Sequence, residues 1–317
     1  MNTDILFELV EQYDIITIYR HVSPDADALG AQFGLKQWIQ ETYPQKQVYA
    51  LGRDAGSKQS LFPQMDVVPD ETVAASLAII LDTANGARVD DDRWSKAART
   101  LKIDHHIVVE SFADVEVVED LFGATCEMLA YMFEQKQLRL SATCAQYLYG
   151  GIIADTLRFS TRAPKKPRTL RTAAYLLEMG VDVKKANEDH FSTSYRLYRF
   201  ENYIRSNVSL LEGHVAYMII NREDYERFQL TFNEAKEKVF VLGGVDEFEA
   251  WALFTEKERD ENGRRIYNGS LRSKNRTIND IANRYQGGGH RFACGVKGLY
   301  EETIQELLQE LCERVNE

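Results

Sequence analysis

The sequence lacks the features that would announce several large classes of protein. Its four cysteines, Cys126, Cys144, Cys294 and Cys312, lie far apart and form no C-x-x-C pair. Neither a disulfide framework nor a zinc knuckle is expected, and a reducing compartment is the simpler reading. No run approaches the roughly eighteen uncharged apolar residues of a membrane-spanning helix. Residues 1–20 carry Asp4, Glu8, Glu11 and Asp14 without a basic n-region, which argues against a secretory signal. No G-x-S-x-G or comparable Ser or Cys nucleophile context occurs, and there is no internal repeat or low-complexity tract. Positive charge is also short. Against 49 Asp and Glu stand 38 Lys and Arg, a formal balance of −11, so the protein is not expected to coat long duplex nucleic acid. A soluble, cytoplasmic protein with no membrane partner is the expectation.

What is present is globular in balance, with 44% hydrophobic and 27% charged residues, and 317 residues suffice for two domains. Charge is unevenly spread. Thr156–Arg171 holds six basic residues and no acid: Arg158, Arg162, Lys165, Lys166, Arg168 and Arg171. Arg264–Arg291 holds seven, with Asp280 the only acid. Taken singly, either is a solvated face; together in an acidic chain they read as sites for a small anion.

One stretch, Leu101–His106 (Leu-Lys-Ile-Asp-His-His), organises the rest. Asp104, His105 and His106 end a short β-favouring run, Thr100–Asp104, and are expected at the carboxyl end of a buried strand. Such groups are costly to bury without partners. Partners of fitting chemistry close other segments. His21-x-x-x-Asp25-x-Asp27 follows the strand candidate Ile15–Arg20, Asp82 closes Leu77–Asp82, and Asp155 closes the apolar run Gly150–Ala154.

Between these the pattern predicts a strand over Gln47–Leu51. Helices are expected over Ala28–Glu41, Arg88–Ala98, Ala124–Gln135, Thr143–Ala154 and Leu170–Met179. Strands alternating with helices indicate an α/β fold, with a mostly parallel N-terminal sheet flanked by helices and ligands beyond the strands' carboxyl ends. All the acids and histidines above fall at that edge. Val183–Arg205 reads as helical and polar on one side. The catalytic domain is placed at residues 1–190, a linker at 191–207, and a smaller mixed-sheet α/β domain at 208–317. Its strands are expected over Val208–Asn221, Phe248–Thr255 and Arg265–Leu271, and its helices over Glu234–Phe240, Ile278–Tyr285 and Glu301–Val315.

Each candidate has a bland explanation alone: His21 as a satisfied polar residue, Asp25 or Asp27 as a helix cap, Asp82 and Asp155 as turn residues. Five such coincidences at one sheet edge are harder to accept. Hard divalent cations want carboxylate oxygen, and imidazole shifts preference toward manganese, iron, cobalt or zinc. His21, Asp25, Asp27, Asp82, His105 and Asp155 supply four carboxylates and two imidazoles, enough for two ions sharing a bridging carboxylate. Two ions about 3.5–4 Å apart can activate a water and neutralise both oxygens of a phosphoryl displacement, with no covalent nucleophile.

Further on, Gly287–Gly289 can bring amides close to a ligand, or can be a plain flexible turn after the preceding helix. His290 adds a donor. The strand period places Arg272 and Lys274 on one face, within reach of one anion.

His21-Val-Ser-Pro-Asp25-Ala-Asp27-Ala-Leu-Gly30, Asp82-Thr-Ala-Asn85, Asp104-His105-His106 and Asp155-Thr-Leu-Arg158-Phe resemble the four motifs of the DHH phosphoesterase family. Ser270-Leu-Arg272-Ser273-Lys274 and Gly287-Gly-Gly-His290 resemble its DHH-associated C-terminal domain. Order and spacing over nearly the whole chain are most similar to the nanoRNase branch, bacterial oligoribonucleases that also act on 3′-phosphoadenosine 5′-phosphate.

The resemblance implies two manganese ions, with Mg2+ or Co2+ as substitutes. His21, Asp25 and Asp82 would hold one; Asp27, Asp82, His105 and Asp155 would hold the other, with Asp82 bridging. His106 would face the scissile phosphate, and Asp104 would orient the histidine pair. Arg272, Ser273, Lys274 and His290, with the Gly287, Gly288 and Gly289 amides, would grip a terminal phosphate, and Arg158 would add a phosphate contact. Leu157 stands where the family usually has glycine, which marks the backbone before Arg158 as a departure; Ala31 replaces the small hydroxyl residue common after Gly30, and Cys294 differs from the more usual small residues.

The implied substrates are RNA of two to five nucleotides, degraded to mononucleotides, and 3′-phosphoadenosine 5′-phosphate, converted to AMP. A homodimer is left open. Rival readings are a cyclic- or linear-dinucleotide phosphodiesterase in signalling, an inorganic pyrophosphatase, and a non-catalytic nucleotide- or RNA-binding regulator.

Overall fold

The computed structural model describes residues 3–317 apart from 54, 55, 57, 58, 161–165 and 213. Arg162 and Lys165 of the first basic segment therefore lie outside the described residues. The chain divides into two compact units, Met1–Ser192 and Thr193–Glu317.

The first unit opens with α1 (Ile5–Gln12), β1 (Ile15–Tyr19), α2 (Ala26–Thr42) and β2 (Gln47–Ala50). It continues with α3 (Asp70–Ala74), β3 (Leu77–Leu81), β4 (Arg99–Asp104) and β5 (Val115–Val118). It closes with α4 (Thr125–Gln135), α5 (Ala142–Asp155), α6 (Lys166–Glu178) and α7 (Val183–Phe191). The five strands are all parallel in the order β2-β1-β3-β4-β5, so the winding reverses between β1 and β3. Sheets of this kind bind ligands beyond the carboxyl ends of their strands, at the point where the winding reverses.

Every residue of β3 is buried, as a strand covered on both faces requires. Leu77, Ile79 and Leu81 join one core with α1, α2, α4 and α5, while Ala78 and Ile80 join a second with Tyr19, Leu51 and Val73. Strand β4 breaks this rule. Leu101 and Ile103 enter the large core, but the alternate residues Lys102 and Asp104 are polar and fully buried.

The second unit runs α8 (Tyr195–Asn207), β6 (Ser209–Leu211), β7 (Val215–Ile220), α9 (Arg222–Glu226), α10 (Phe232–Lys236) and β8 (Ala250–Arg259). Then follow β9 (Arg265–Ser273), α11 (Asn279–Arg284), β10 (Gly288–His290), β11 (Ala293–Leu299) and α12 (Glu301–Asn316). Its sheet, in the order β10-β11-β9-β8-β7-β6, is antiparallel except for the β7/β8 pair. On one face α12 buries Ile304, Leu307, Leu308, Leu311, Cys312 and Val315, the spacing of one helical stripe. On the other, Phe200 and Ile204 of α8 pack with Met218, Tyr225 and Leu253. The α/β architecture, with a parallel sheet and a separate mixed one, is as expected.

Several local expectations differ. Residues 195–207, expected within a linker, form α8, and Phe200 and Ile204 make it part of the second core. The long helix expected over Val183–Arg205 is interrupted before Ser194, whose hydroxyl caps α8. Arg88–Ala98 is not a helix but two short 3-10 turns, Gly86–Arg88 and Asp92–Lys96. Between them Val89 pairs as an isolated bridge with His21, which holds the segment extended. Val208–Asn221 is split into β6 and β7, and Glu234–Phe240 into α10 and a 3-10 turn. Strands β5, β10 and β11 and helices α1, α3 and α9 have no counterpart among the expected elements. Among the described residues no helix is long and apolar enough to cross a membrane.

Candidate metal centre and phosphate clamp

At the carboxyl edge of the first sheet the backbone aims each side chain before any ligand is considered. The bridge to Val89, with Val22 N donating to Arg88 O (2.8 Å) and Asp90 N to Arg20 O (3.1 Å), pins the residue after β1. His21 Nδ1 lies 2.7 Å from the Val22 carbonyl, closer than Arg88 Nη2 at 3.4 Å. A carbonyl only accepts, so Nδ1 carries a proton and Nε2 is the nitrogen turned to the carboxylates. Nε2 faces Asp82 Oδ2 at 3.5 Å and Asp25 Oδ2 at 3.9 Å. Asp25 caps α2, its Oδ1 accepting from the amides of Asp27 and Ala28 at 3.0 Å, which turns the other oxygen to His21.

Asp27 is fully buried. It is held by the first turn of α4: Thr125 N donates to Oδ2 (2.7 Å) and Cys126 N to Oδ1 (2.9 Å). A helix amino terminus favours an anion there. Asp82 follows β3 in a left-handed conformation (φ 53°) and is 2% exposed. Its two oxygens diverge. Oδ2 faces His21, while Oδ1 lies 3.4 Å from His105 Nε2 and accepts from Thr125 Oγ1 at 3.1 Å. His105 Nε2 is also 3.8 Å from Asp27 Oδ2 and 3.4 Å from Asp155 Oδ2 at the end of α5. Its Nδ1 sits 3.3 Å from the Phe122 carbonyl, the same backbone tether as at His21. Ligating imidazoles commonly have their second nitrogen fixed in this way.

The electrostatics describe a place built for positive charge. Burial first, then the charges of Asp82 and Asp155, push the Asp27 carboxyl well above the usual carboxylate range. Burial works against charge on Asp82 too, yet the His105 and His21 imidazoles beside it hold its carboxyl well below that range. Burial opposes charge on His105 and on His21, but the adjacent carboxylates raise both, His105 strongly. Protons on the imidazoles thus offset the acids wherever no cation does so.

Three sets of ligand atoms each lie within 4.8 Å of one another: His21, Asp25 and Asp82; Asp27, His105 and Asp155; Asp82, His105 and His106. Four carboxylates and two imidazoles, facing inward on two sides of Asp82, fit a pair of divalent cations.

His106 is placed differently from His105. Its Nδ1 lies 2.7 Å from Asp104 Oδ1, which also accepts from the His106 amide at 3.2 Å. Arg158 stands in a run of three left-handed residues, Leu157 (φ 46°), Arg158 (φ 57°) and Phe159 (φ 65°), that follows α5. The missing glycine at Leu157 therefore coincides with backbone that glycine would adopt without strain. The Arg158 guanidinium lies 4.4 Å from the ring centroid of Phe191. Arg168 of the same basic segment is not open for an anion: Nε donates to buried Glu127 (2.8 Å) and Nη2 to Leu121 O (2.7 Å).

In the second unit the register lines up His290 opposite Ala293, and Ala293 opposite Arg272. Arg272 and His290 thus share one face two strands apart, roughly 10 Å, with a small alanine between them. Arg272 donates only to the carbonyls of Leu271 (2.8 Å) and Cys294 (3.4 Å), and burial makes its charge less favourable than usual. It has no carboxylate partner among the described residues.

Other clamp candidates fare differently. The Ser273 hydroxyl donates to Arg276 O. Lys274 lies past the end of β9, so strand alternation no longer puts it beside Arg272, and its ammonium donates to Asp246 O (2.8 Å). Gly287 and Gly289 are required by packing: a Cβ would meet Gly295 O at 2.2 Å and Ala293 O at 2.5 Å respectively. The Gly287 amide donates to Ala282 O (3.0 Å), and Gly288–His290 is an edge strand rather than a loop. Three participants escaped the sequence reading: Thr125, the Phe122 carbonyl and Lys102. The only signal was a threonine at the start of a predicted helix.

Paired carboxylates and imidazoles at the switch point of a parallel sheet are of the kind that could hold metal ions and support metal-assisted hydrolysis. The sequence matches the DHH family, N-terminal domain, over residues 15–152 and the DHHA1 domain over residues 225–317. It is 34% identical over 302 residues, 95% of each chain, to a probable bifunctional oligoribonuclease and PAP phosphatase NrnA of Streptococcus mutans. To the bifunctional oligoribonuclease and PAP phosphatase NrnA of Bacillus subtilis it is 32% identical, across 98% of this chain and 97% of that one. A crystal structure of an exopolyphosphatase-related protein from Bacteroides fragilis shares the fold, with a TM-score of 0.86 at 22% identity over 99% and 97% of the two chains. The chain belongs to the DHH family and is a hydrolytic enzyme.

Proposed function

We propose that the protein is a manganese-dependent phosphoesterase that degrades RNA of two to five nucleotides to mononucleotides and converts 3′-phosphoadenosine 5′-phosphate to AMP. The observation that carries the substrate is the similarity, over nearly the full length of both chains, to relatives named as bifunctional oligoribonuclease and PAP phosphatase. The metal-site geometry supports the chemistry.

In this reading His21, Asp25 and Asp82 would hold one cation, and Asp27, Asp82, His105 and Asp155 the other. When bound, the pair would supply water activation and charge neutralisation for a phosphoryl displacement. Asp104 orients the His106 ring, and His106 holds the proton that the leaving oxygen takes up. Arg272 and His290 hold the terminal phosphate, Arg272 because no carboxylate of the described residues already neutralises it.

Hydrolysis with added manganese tests this on an RNA dinucleotide, a five-nucleotide RNA, 3′-phosphoadenosine 5′-phosphate, a cyclic dinucleotide and pyrophosphate, run side by side. Turnover of the linear dinucleotide and the bisphosphate is expected. Cleavage of the cyclic compound or pyrophosphate alone would retain the metal chemistry and replace the substrate. Absence of turnover on all five would favour a nucleotide-binding regulator.

A further inference from the structure

Lys102 is one of the largest fully buried side chains in the protein, and a lysine is seldom buried without a task. On β4 it shares a face with Asp104, two residues on. Its ammonium reaches both loops that carry the site. Nζ donates to Ala84 O (3.2 Å), two residues beyond Asp82, and lies 3.5 Å from Asp104 Oδ2. Among the described residues that buried oxygen makes no hydrogen bond, and the Lys102 ammonium is the cation that pairs with it. The other oxygen, Oδ1, lies against His106 Nδ1.

The ammonium is also covered. The Phe112 ring centroid is 4.7 Å from Nζ, and the Phe112 and Ala113 amides donate to Glu116 (2.6 and 3.0 Å), which fixes that loop in place. A buried ammonium between an aromatic face and a carboxylate is an electrostatic brace, because low dielectric strengthens both contacts.

We propose that Lys102 is a positioning residue for the hydrolytic reaction: it clamps Asp104 so that Asp104 fixes the His106 ring, and it ties that strand to the Asp82 loop through Ala84. The proposal rests on the phosphoesterase reading for its kinetic arm only. Among the described residues Lys102 contacts Asp104 and Ala84 and pairs with no candidate metal ligand.

The test is Lys102→Met, which keeps side-chain length and removes the charge. With the RNA dinucleotide, kcat should fall roughly 10–100-fold while bound manganese stays unchanged. The KM should stay within about twofold. In the metal-free protein the downfield His106 Nδ1–H proton resonance, assigned by its loss in His106→Ala, should shift upfield. In an Asp104→Asn background, Lys102→Met should cost little more, because the two act through one ring. Unchanged kcat with an unmoved resonance, or losses that add fully in the double variant, would overturn the proposal. Should Lys102→Met not fold, Lys102→Arg retains the charge and should keep the resonance; its disappearance there would equally overturn it. Wild-type protein inactive on every substrate would sink the phosphoesterase reading, while the resonance would still decide about Lys102.

Discussion

Asp104 Oδ1 lies 2.7 Å from His106 Nδ1 and also receives the His106 amide, so ring and backbone are held by a single oxygen. His105, the adjacent residue, is tethered to a carbonyl instead and turned among Asp27, Asp82 and Asp155. Two neighbouring histidines therefore have separable tasks. His106→Ala should lower kcat by roughly 10²–10⁴-fold, the usual contribution of a positioned proton donor, with metal content nearly intact. Metal analysis alongside steady-state kinetics decides it; loss of the bound manganese would mean that the roles of the two rings are reversed.

Asp82 offers one oxygen to each imidazole side of the site. Asp82→Asn should therefore impair both cation positions together, whereas Asp25→Asn should weaken only the His21 side. Manganese stoichiometry by equilibrium dialysis distinguishes the two. Equal partial loss in both variants would argue against a bridging carboxylate.

The metal-free protein should be less stable at pH 8 than at mildly acidic pH. His21, His105 and Asp27 all have raised affinities for protons in the folded state. For the histidines, that stabilisation is fully present below their unfolded value of about 6.5 and is lost as pH rises through the folded values. Asp27 acts in the same direction, being easiest to bury when protonated. The depressed Asp82 carboxyl runs oppositely, contributing above its unfolded value of about 3.9 and losing that contribution as pH falls further. Manganese must displace the protons on its donors, so the manganese-induced rise in Tm should grow from pH 5.5 to 8. Thermal melts with and without manganese check this; a rise that shrinks with pH would refute it.

Arg272→Ala should raise the KM for substrates ending in a free phosphate by about tenfold, one charge-assisted contact, and leave folding intact. Among the described residues its guanidinium braces only two backbone carbonyls. Comparing KM and Tm of the variant settles whether Arg272 serves substrate or sheet.

Gly151→Ala probes how tightly α5 packs behind the site. An added Cβ would fall 2.3 Å from Cys126 Sγ and 2.9 Å from Asp27 Oδ1. Overpacking of this kind costs roughly 1–3 kcal/mol, and it should also displace Asp27. A lowered Tm together with weaker manganese binding is expected; neither effect would mean that α5 can shift without disturbing Asp27.

The sequence by itself determined the parallel sheet and the positions of the motif residues, because β1 and β3 are apolar runs and β4 a β-favouring one, each ending within two residues of an acid or a histidine. Hydrophobic periodicity is local, and strand ends can be read from it. The 88–98 segment misled it, since a single bridge between Val89 and the sequence-distant His21 outweighs helical propensity. Lys274 misled it as well, because alternation ends where β9 ends.

Only the tertiary structure decided the rest. It put Thr125 and Cys126 amides on Asp27, divided the two oxygens of Asp82 between two imidazoles, and placed Lys102 behind Asp104. Those relations join residues distant in sequence or depend on side-chain direction in a buried layer, and no local pattern encodes either.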